Sequence, residues 1–164
     1  MSLRSASPQS ILVVEDSDED FSALARILQR NVALPPVRLR RCARAEEALA
    51  ELDDAETADE RRREEPALIV LDLNLPGLDG RAVLKRVRAH RTWKHVPVVV
   101  FSTAAHPAVV AWCYENGANA YHVKEINYPA FKQSVEMLAT YWLNSAQLPV
   151  RDNLPPHGLD PSKT

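Results

Sequence analysis

Four places in the chain put a polar group directly after a short apolar run. Glu15-Asp16 follows Ile11-Leu12-Val13-Val14, Asp72 follows Ala67-Leu68-Ile69-Val70-Leu71, Ser102 follows Pro97-Val98-Val99-Val100-Phe101, and Lys124 follows Ala120-Tyr121-His122-Val123. A carboxylate at the end of a buried strand is costly without a partner. If the runs are parallel strands, these groups converge at the carboxyl edge of one sheet, where open α/β folds place their ligand sites. Carboxylates crowded there raise one another's pKa. A magnesium ion, which takes oxygen ligands octahedrally, removes that penalty. Asp16, Asp72 and a backbone carbonyl of the following turn, placed at Asn74, supply such a ligand set, and Glu15 holds a metal-bound water. Asp72, kept anionic, is then a nucleophile able to take a phosphoryl group as an acyl phosphate. Lys124 brings a point charge for phosphate oxygens, and Ser102 a hydroxyl that can donate to one.

The elements that must position these groups are legible as five apolar runs, at 10–14, 37–42, 67–71, 96–101 and 119–123, alternating with helical patterns. That alternation marks a doubly wound α/β parallel sheet. Runs three and four are continuously apolar, as central strands covered on both faces are. The second run sets Arg38 and Arg40 against Val37 and Leu39 and reads as an edge strand. In the first helix Phe21, Leu24 and Leu28 share a face, and Ser17 with Asp20 makes a capping-box start. Helix two carries Ala45, Ala48, Leu49 and Leu52, followed by a charged stretch over 53–66 that includes Arg61-Arg62-Arg63 and reads as a solvated loop or helix extension. Helix three carries Val83, Leu84 and Val87, and helix four runs from Pro107 to near Gly117, with proline first and glycine last. Helix five opens near Asn127 and Pro129 and runs to about Leu143. The organisation expected is a flexible N-terminus over 1–9, one domain over 10–145, and a proline-containing extension over 146–164.

Composition narrows the classes. At 164 residues with a formal net charge of −2, nothing in the balance points to nucleic acid or an anionic membrane. No run approaches the ~20 apolar residues that span a bilayer, and the N-terminus lacks a secretory core. Cys42 and Cys113 have no metal-ligand or redox spacing, so they read as buried residues in a reducing cytosol. The expected location is cytoplasmic.

Taken singly, each candidate has an ordinary reading. Glu15 and Asp16 favour a following helix N-terminus through its dipole, Lys124 is a surface lysine, Ser102 a turn residue or N-cap, and Tyr121 strand packing. Asp72 is harder to dismiss, because a strand-ending acid followed by Leu75-Pro76-Gly77-Leu78-Asp79-Gly80 is unusual. The joint occurrence, one group per strand end and in order, outweighs the single readings. With the pair Glu15-Asp16, the acid Asp72, that turn, the hydroxyl Ser102, the aromatic Tyr121 and Lys124, the chain over residues 10–143 resembles the receiver domain of two-component response regulators.

The resemblance implies a flavodoxin-like five-stranded parallel sheet of order 2-1-3-4-5 with five helices. It implies a signalling phosphoprotein rather than an enzyme, with Asp72 receiving phosphate from a sensor histidine kinase and requiring Mg2+. It also implies a switch in which Ser102 moves toward the phosphate and Tyr121 turns inward behind it, altering the face of helix four, strand five and helix five. The chain departs from the family at Glu125, where proline usually follows the lysine, commonly after a cis bond; before a non-proline that bond costs ~3 kcal/mol. Asn74 and Ala104 stand where the family tunes hydrolysis of the acyl phosphate. Ala104 has no polar group to place water, so a persistent phosphate is expected, and Thr103 replaces a smaller residue beside the switch hydroxyl.

Ser102-Thr103, the insertion before the third strand, Glu125, and Tyr141-Trp142-Leu143 followed by a tail look like the small single-domain regulators paired with bacterial and cyanobacterial phytochrome kinases. Phe131, Val135, Leu138 and Trp142 form one apolar stripe on helix five, and Met137 with Tyr141 widens it beyond what core packing needs. A homodimer through helices four and five, with the C-terminal extension as an arm, is expected. Two readings compete from other classes. A magnesium-dependent aspartyl-phosphate phosphohydrolase needs a second acid two residues after the nucleophile, and this chain has Asn74 there. A pseudo-receiver that only docks is the other.

Overall fold

The computed structural model describes residues 8–57 and 64–149; Arg61-Arg62-Arg63, most of the N-terminal segment and nearly all of the expected C-terminal arm lie outside them. Along the chain run β1 (Gln9–Val14), α1 (Asp18–Arg30), β2 (Val37–Cys42), α2 (Ala45–Thr57), β3 (Leu68–Leu71), α3 (Gly80–Ala89), β4 (Val98–Ser102), α4 (Pro107–Glu115), β5 (Ala120–Val123) and α5 (Tyr128–Ala139). A 3-10 turn (Trp93–His95) precedes β4, and a π-helical turn (Thr140–Ser145) follows α5. All strand pairs are parallel and the order is β2-β1-β3-β4-β5, as expected.

Strand periodicity sorts the apolar side chains into two layers. Leu12, Val14, Ile69, Leu71, Val98 and Val100 pack against Ala48 and Leu52 of α2, Val83, Leu84 and Val87 of α3, and Cys113 of α4. Ile11, Val13, Leu68, Val70, Val99 and Phe101 pack on the opposite face against Leu24, Ile27 and Leu28 of α1 and Phe131, Val135 and Leu138 of α5. Both cysteines are buried and free. The covered sheet is what makes the carboxyl edge of β1, β3 and β4 a fixed platform.

Local chemistry sets where the helices start. Ser17 caps α1 by accepting from the Asp20 N–H at 3.1 Å, Asp79 caps α3 by accepting from Arg81, and Asn127 caps α5 by accepting from Ala130. The capping box expected at Ser17 and Asp20 is half formed: the Ser17 N–H donates to the Glu15 carboxylate at 3.0 Å, and the Asp20 carboxylate turns elsewhere. Helix five is also shorter than its apolar spacing suggests. Regular α geometry stops at Ala139, and the wider turn after it still buries Leu143 while leaving Tyr141 exposed. Ala67, Val96 and Pro97 are apolar but precede the first residues of β3 and β4. All peptide bonds among the described residues are trans, including Lys124–Glu125.

The turn between β3 and α3 brings the helix back onto the strand end. Gly77 takes φ +77, a left-handed value that favours glycine, and the Gly80 N–H donates to the Leu73 carbonyl at 3.0 Å. A Cβ on Gly80 would lie 2.2 Å from the Asp72 carbonyl oxygen and 2.9 Å from Leu73 Cα. Both contacts are with backbone, so nothing flexible can yield. Gly80→Ala is therefore expected to destabilise the fold on the order of 3 kcal/mol, read as a lowered urea midpoint; a midpoint equal to wild type would show that α3 does not seat against Asp72.

Candidate functional site

The sheet's own hydrogen bonds bring the candidate residues together. Past the last residue pairs of the ladder, the Glu15 N–H donates to Cys42 O at 3.0 Å, the Asp72 N–H to Val14 O at 2.9 Å, and the Lys124 N–H to Ser102 O at 2.9 Å. Each side chain therefore leaves from the first position beyond its strand, at nearly the same level of the sheet. Ser102 closes β4 and is fully buried.

Lys124 is the hub. Its ammonium is buried and donates to Asp72 Oδ2 at 2.9 Å, to Asp20 Oδ2 at 2.9 Å, and to Glu15 Oε2. The second oxygen of Asp72 accepts from the Asn74 N–H at 3.0 Å. The second oxygen of Glu15 is bound by Ser17. Burial pushes the Glu15 carboxyl up to about 7, against the opposing pull of Lys124 and the Ser17 N–H. Burial also works against the charge on Lys124, but the carboxylates of Glu15, Asp20 and Asp72 outweigh it and hold the ammonium above the ordinary lysine range. The ammonium is thus the fixed charge of the cluster, while burial works against the charge on Glu15.

Asp16, which is exposed, completes an oxygen cluster. One carboxylate oxygen from each of Glu15, Asp16 and Asp72 lies within 4.8 Å of the others. Three hard, anionic oxygen donors so close together, with water access at Asp16, fit a divalent cation of the magnesium type.

Two cross-links tie the loops around this centre. The Asn74 side-chain amide donates to Thr103 Oγ1 at 3.1 Å, joining the turn after β3 to the loop after β4. The Tyr121 hydroxyl donates to the Ala104 carbonyl at 2.5 Å, and Ser102 Oγ accepts from the Ala104 N–H at 3.4 Å. Tyr121 is half-buried against the layer formed with α4, and burial pushes its hydroxyl pKa up. The structure thus brings Glu15, Asp16, Asp72 and Lys124 into one cluster and sets Ser102, Tyr121 and Asn74 on the loops beside it. Sequence reasoning missed Asp20. Its place three residues after a serine suggested a local cap, whereas its real partner is 104 residues away.

Comparison with known proteins identifies the family and the fold. A model of the response regulator receiver domain matches residues 11–136. The response regulator Rcp1 of Synechocystis sp. is 34% identical over 149 residues, covering 91% of this chain and 99% of that protein. Among solved structures, the phosphorylated cyanobacterial phytochrome response regulator RcpA superposes with a TM-score of 0.79 at 31% identity, over 88% of this chain and 100% of that one. The Mn2+-bound form of Rcp1 gives 0.78 at 31% identity, over 87% and 100%.

Removing one partner of a buried ion cluster leaves the rest uncompensated. Lys124→Met is expected to destabilise the metal-free protein by about 3–5 kcal/mol, and added Mg2+ is expected to restore part of that by binding the released carboxylates. Urea unfolding with chelator and with Mg2+ measures both effects; a loss under about 1 kcal/mol would mean the acids do not depend on the ammonium.

Proposed function

This chain belongs to the response regulator receiver family, and from that premise we propose that Asp72 is its phosphoacceptor, loaded by a sensor histidine kinase. The observation that carries the reading is the buried 2.9 Å contact between Lys124 Nζ and Asp72 Oδ2. It sets an oxygen of the strand-ending carboxylate against a buried ammonium at the mouth of the acidic cluster. In the transfer, an Asp72 oxygen attacks phosphorus, the P–N bond to the kinase histidine breaks, and the imidazole nitrogen leaves with that electron pair. Lys124 follows its charge from Asp72 to a phosphate oxygen, and Ser102 donates its hydroxyl to another. A magnesium ion held by Glu15, Asp16, Asp72 and the Asn74 carbonyl would neutralise charge building on the phosphoryl oxygens.

The same residues propose a switch. Moving Ser102 toward a phosphate pulls on Ala104, whose carbonyl accepts from Tyr121. Tyr121 must then change partner, which alters the face of α4, β5 and α5. The proposed kinase is of the phytochrome class, because RcpA is a cyanobacterial phytochrome response regulator and Rcp1 is similar over nearly its whole length. The proposed setting is the cytoplasm; among the described residues no helix is long and apolar enough to cross a membrane. With Ala104 unable to place a water, the phosphate is long-lived. A phosphohydrolase reading is disfavoured by Asn74, whose amide is spent on Thr103 instead of acting as an acid.

With acetyl phosphate and Mg2+, the protein should take up one phosphoryl group, Asp72→Asn none, and chelator should stop the reaction. Steady turnover of a small phosphate ester would favour the hydrolase, and no uptake would favour a docking module. Profiling against purified kinases, phytochrome kinases among them, identifies the donor; transfer that survives Asp72→Asn overturns the assignment.

Met137 and Tyr141 stand exposed beside the buried stripe of α5, which supports a homodimer through the α4 and α5 face, with the C-terminal extension as an arm. Light scattering over a concentration series should show dimers that Met137→Glu with Tyr141→Glu disperses. A monomer at every concentration, with and without a phosphate analogue, overturns it.

A further inference from the structure

Beyond Cys42 the edge strand ends, and the carbonyls of Glu15 and Asp16 lie past the last ladder pair between β1 and β2. Backbone oxygens that leave the ladder take their hydrogen bonds from side chains or from water. Arg41 provides them. Its Nε donates to Glu15 O at 3.0 Å and its Nη2 to Asp16 O at 3.0 Å. The remaining arm reaches the Asp18 carboxylate at 2.7 Å, and the guanidinium carbon lies 4.9 Å from the centre of the Phe21 ring. One planar fork thus joins the carbonyls of two consecutive residues to the first turn of α1.

The position is unusual in its own strand. Val37, Leu39 and Arg41 share the face that packs toward α1, and the first two are part of that apolar layer. A charge takes the third place of a stripe that would otherwise continue apolar. A cation bonded to the backbone of Glu15 and Asp16 would, as a bare charge, oppose a divalent ion held by their side chains. Spending its N–H groups on two carbonyls and on Asp18 turns it into a clamp instead.

We infer that Arg41 is a positioning residue for the divalent-cation site, holding the Glu15-Asp16 backbone so that both carboxylates meet Asp72. The inference rests on the reading that Glu15, Asp16 and Asp72 bind the cation, and it assigns Arg41 no contact with the ion. A lysine keeps the charge but cannot span two carbonyls as a fork. Charge and geometry therefore separate cleanly.

The test is Mn2+ binding to the full chain, by electron paramagnetic resonance of free Mn2+ and by calorimetry, with metal-free melting as a check on folding. Partners that orient metal ligands are typically worth 10–100-fold in affinity. Arg41→Gln is expected to raise the Kd for Mn2+ about tenfold, and Arg41→Lys to raise it by a similar factor despite keeping the charge. At saturating Mn2+ the rate of Asp72 phosphorylation by acetyl phosphate should approach wild type in both, because the clamp acts on the site's assembly rather than on the reaction. A tighter Kd in Arg41→Gln, or a wild-type Kd in Arg41→Lys, shows that only charge matters and overturns the inference. Asp16→Ala separates the two levels. If it abolishes Mn2+ binding while both Arg41 variants keep the wild-type Kd, Arg41 alone is wrong; if it leaves binding unchanged, the cation reading falls with it. Should Arg41→Gln fail to fold, Arg41→Lys decides by itself.

Discussion

The structure turns on one buried ammonium. Lys124 faces Glu15, Asp20 and Asp72 from three different segments of the chain. Burying a carboxylate is costly unless it is paired and hydrogen-bonded. Without the ammonium, the carboxyl edge of the sheet would hold acids that the fold could keep only by protonating them. With it, Asp72 can sit nearly out of solvent with both carboxylate oxygens hydrogen-bonded. The cluster adds little to stability compared with a well-packed apolar core of the same volume, so its presence is better understood as a functional arrangement than as a staple.

Every other feature of the site follows from the need to present those charges at one level. The ladder does the coarse alignment, because the backbone N–H groups of Glu15, Asp72 and Lys124 each bond to the last carbonyl of a neighbouring strand. The loops do the fine adjustment. Gly80 lets α3 lie directly on the backbone of Asp72 and Leu73, which fixes the strand end from beneath. Arg41 closes the other side, where β2 runs out and two carbonyls would be left open. The Asn74–Thr103 and Tyr121–Ala104 contacts link the loops that a bound group must pass. A site of rigid strand ends and mutually tied loops can have two discrete arrangements, which is what a switch requires.

The doubly wound parallel sheet, the edge character of β2 and the convergence of Glu15, Asp16, Asp72 and Lys124 were legible in the sequence, because they rest on periodicity and on polar residues closing apolar runs; the strand order came from the resemblance to receiver domains. What was not legible depends on partners far away in the chain. Asp20 looked like half of a local cap because Ser17 stands three residues before it, and sequence spacing cannot show that the lysine just beyond β5 takes its carboxylate instead. Arg41 carried a faint signal as a charge on the Val37 and Leu39 face, but an arginine on an edge strand is also what solvent exposure produces. The starts of β3 and β4 were placed early because Ala67, Val96 and Pro97 are as apolar as the strands they precede, and hydrophobicity does not reveal where pairing begins. The π turn after Ala139 was hidden for the same reason: Leu143 stays buried, so the apolar spacing reads as an unbroken helix. Gly80 was seen within a motif, yet its necessity lies in a backbone contact that no local pattern records.

The hub has a further consequence in its valence. An ammonium has three N–H groups, and Lys124 commits one to each of Glu15, Asp20 and Asp72. No donor is left over for a visitor. An anion that drifts into the site meets a saturated cation ringed by carboxyl groups and can gain a hydrogen bond from it only by evicting one of them. The ammonium is therefore closed to an idle sulfate or phosphate by exchange rather than by shape. A group joined covalently to Asp72 arrives on the very oxygen that has to give way, and for it alone the exchange is already made.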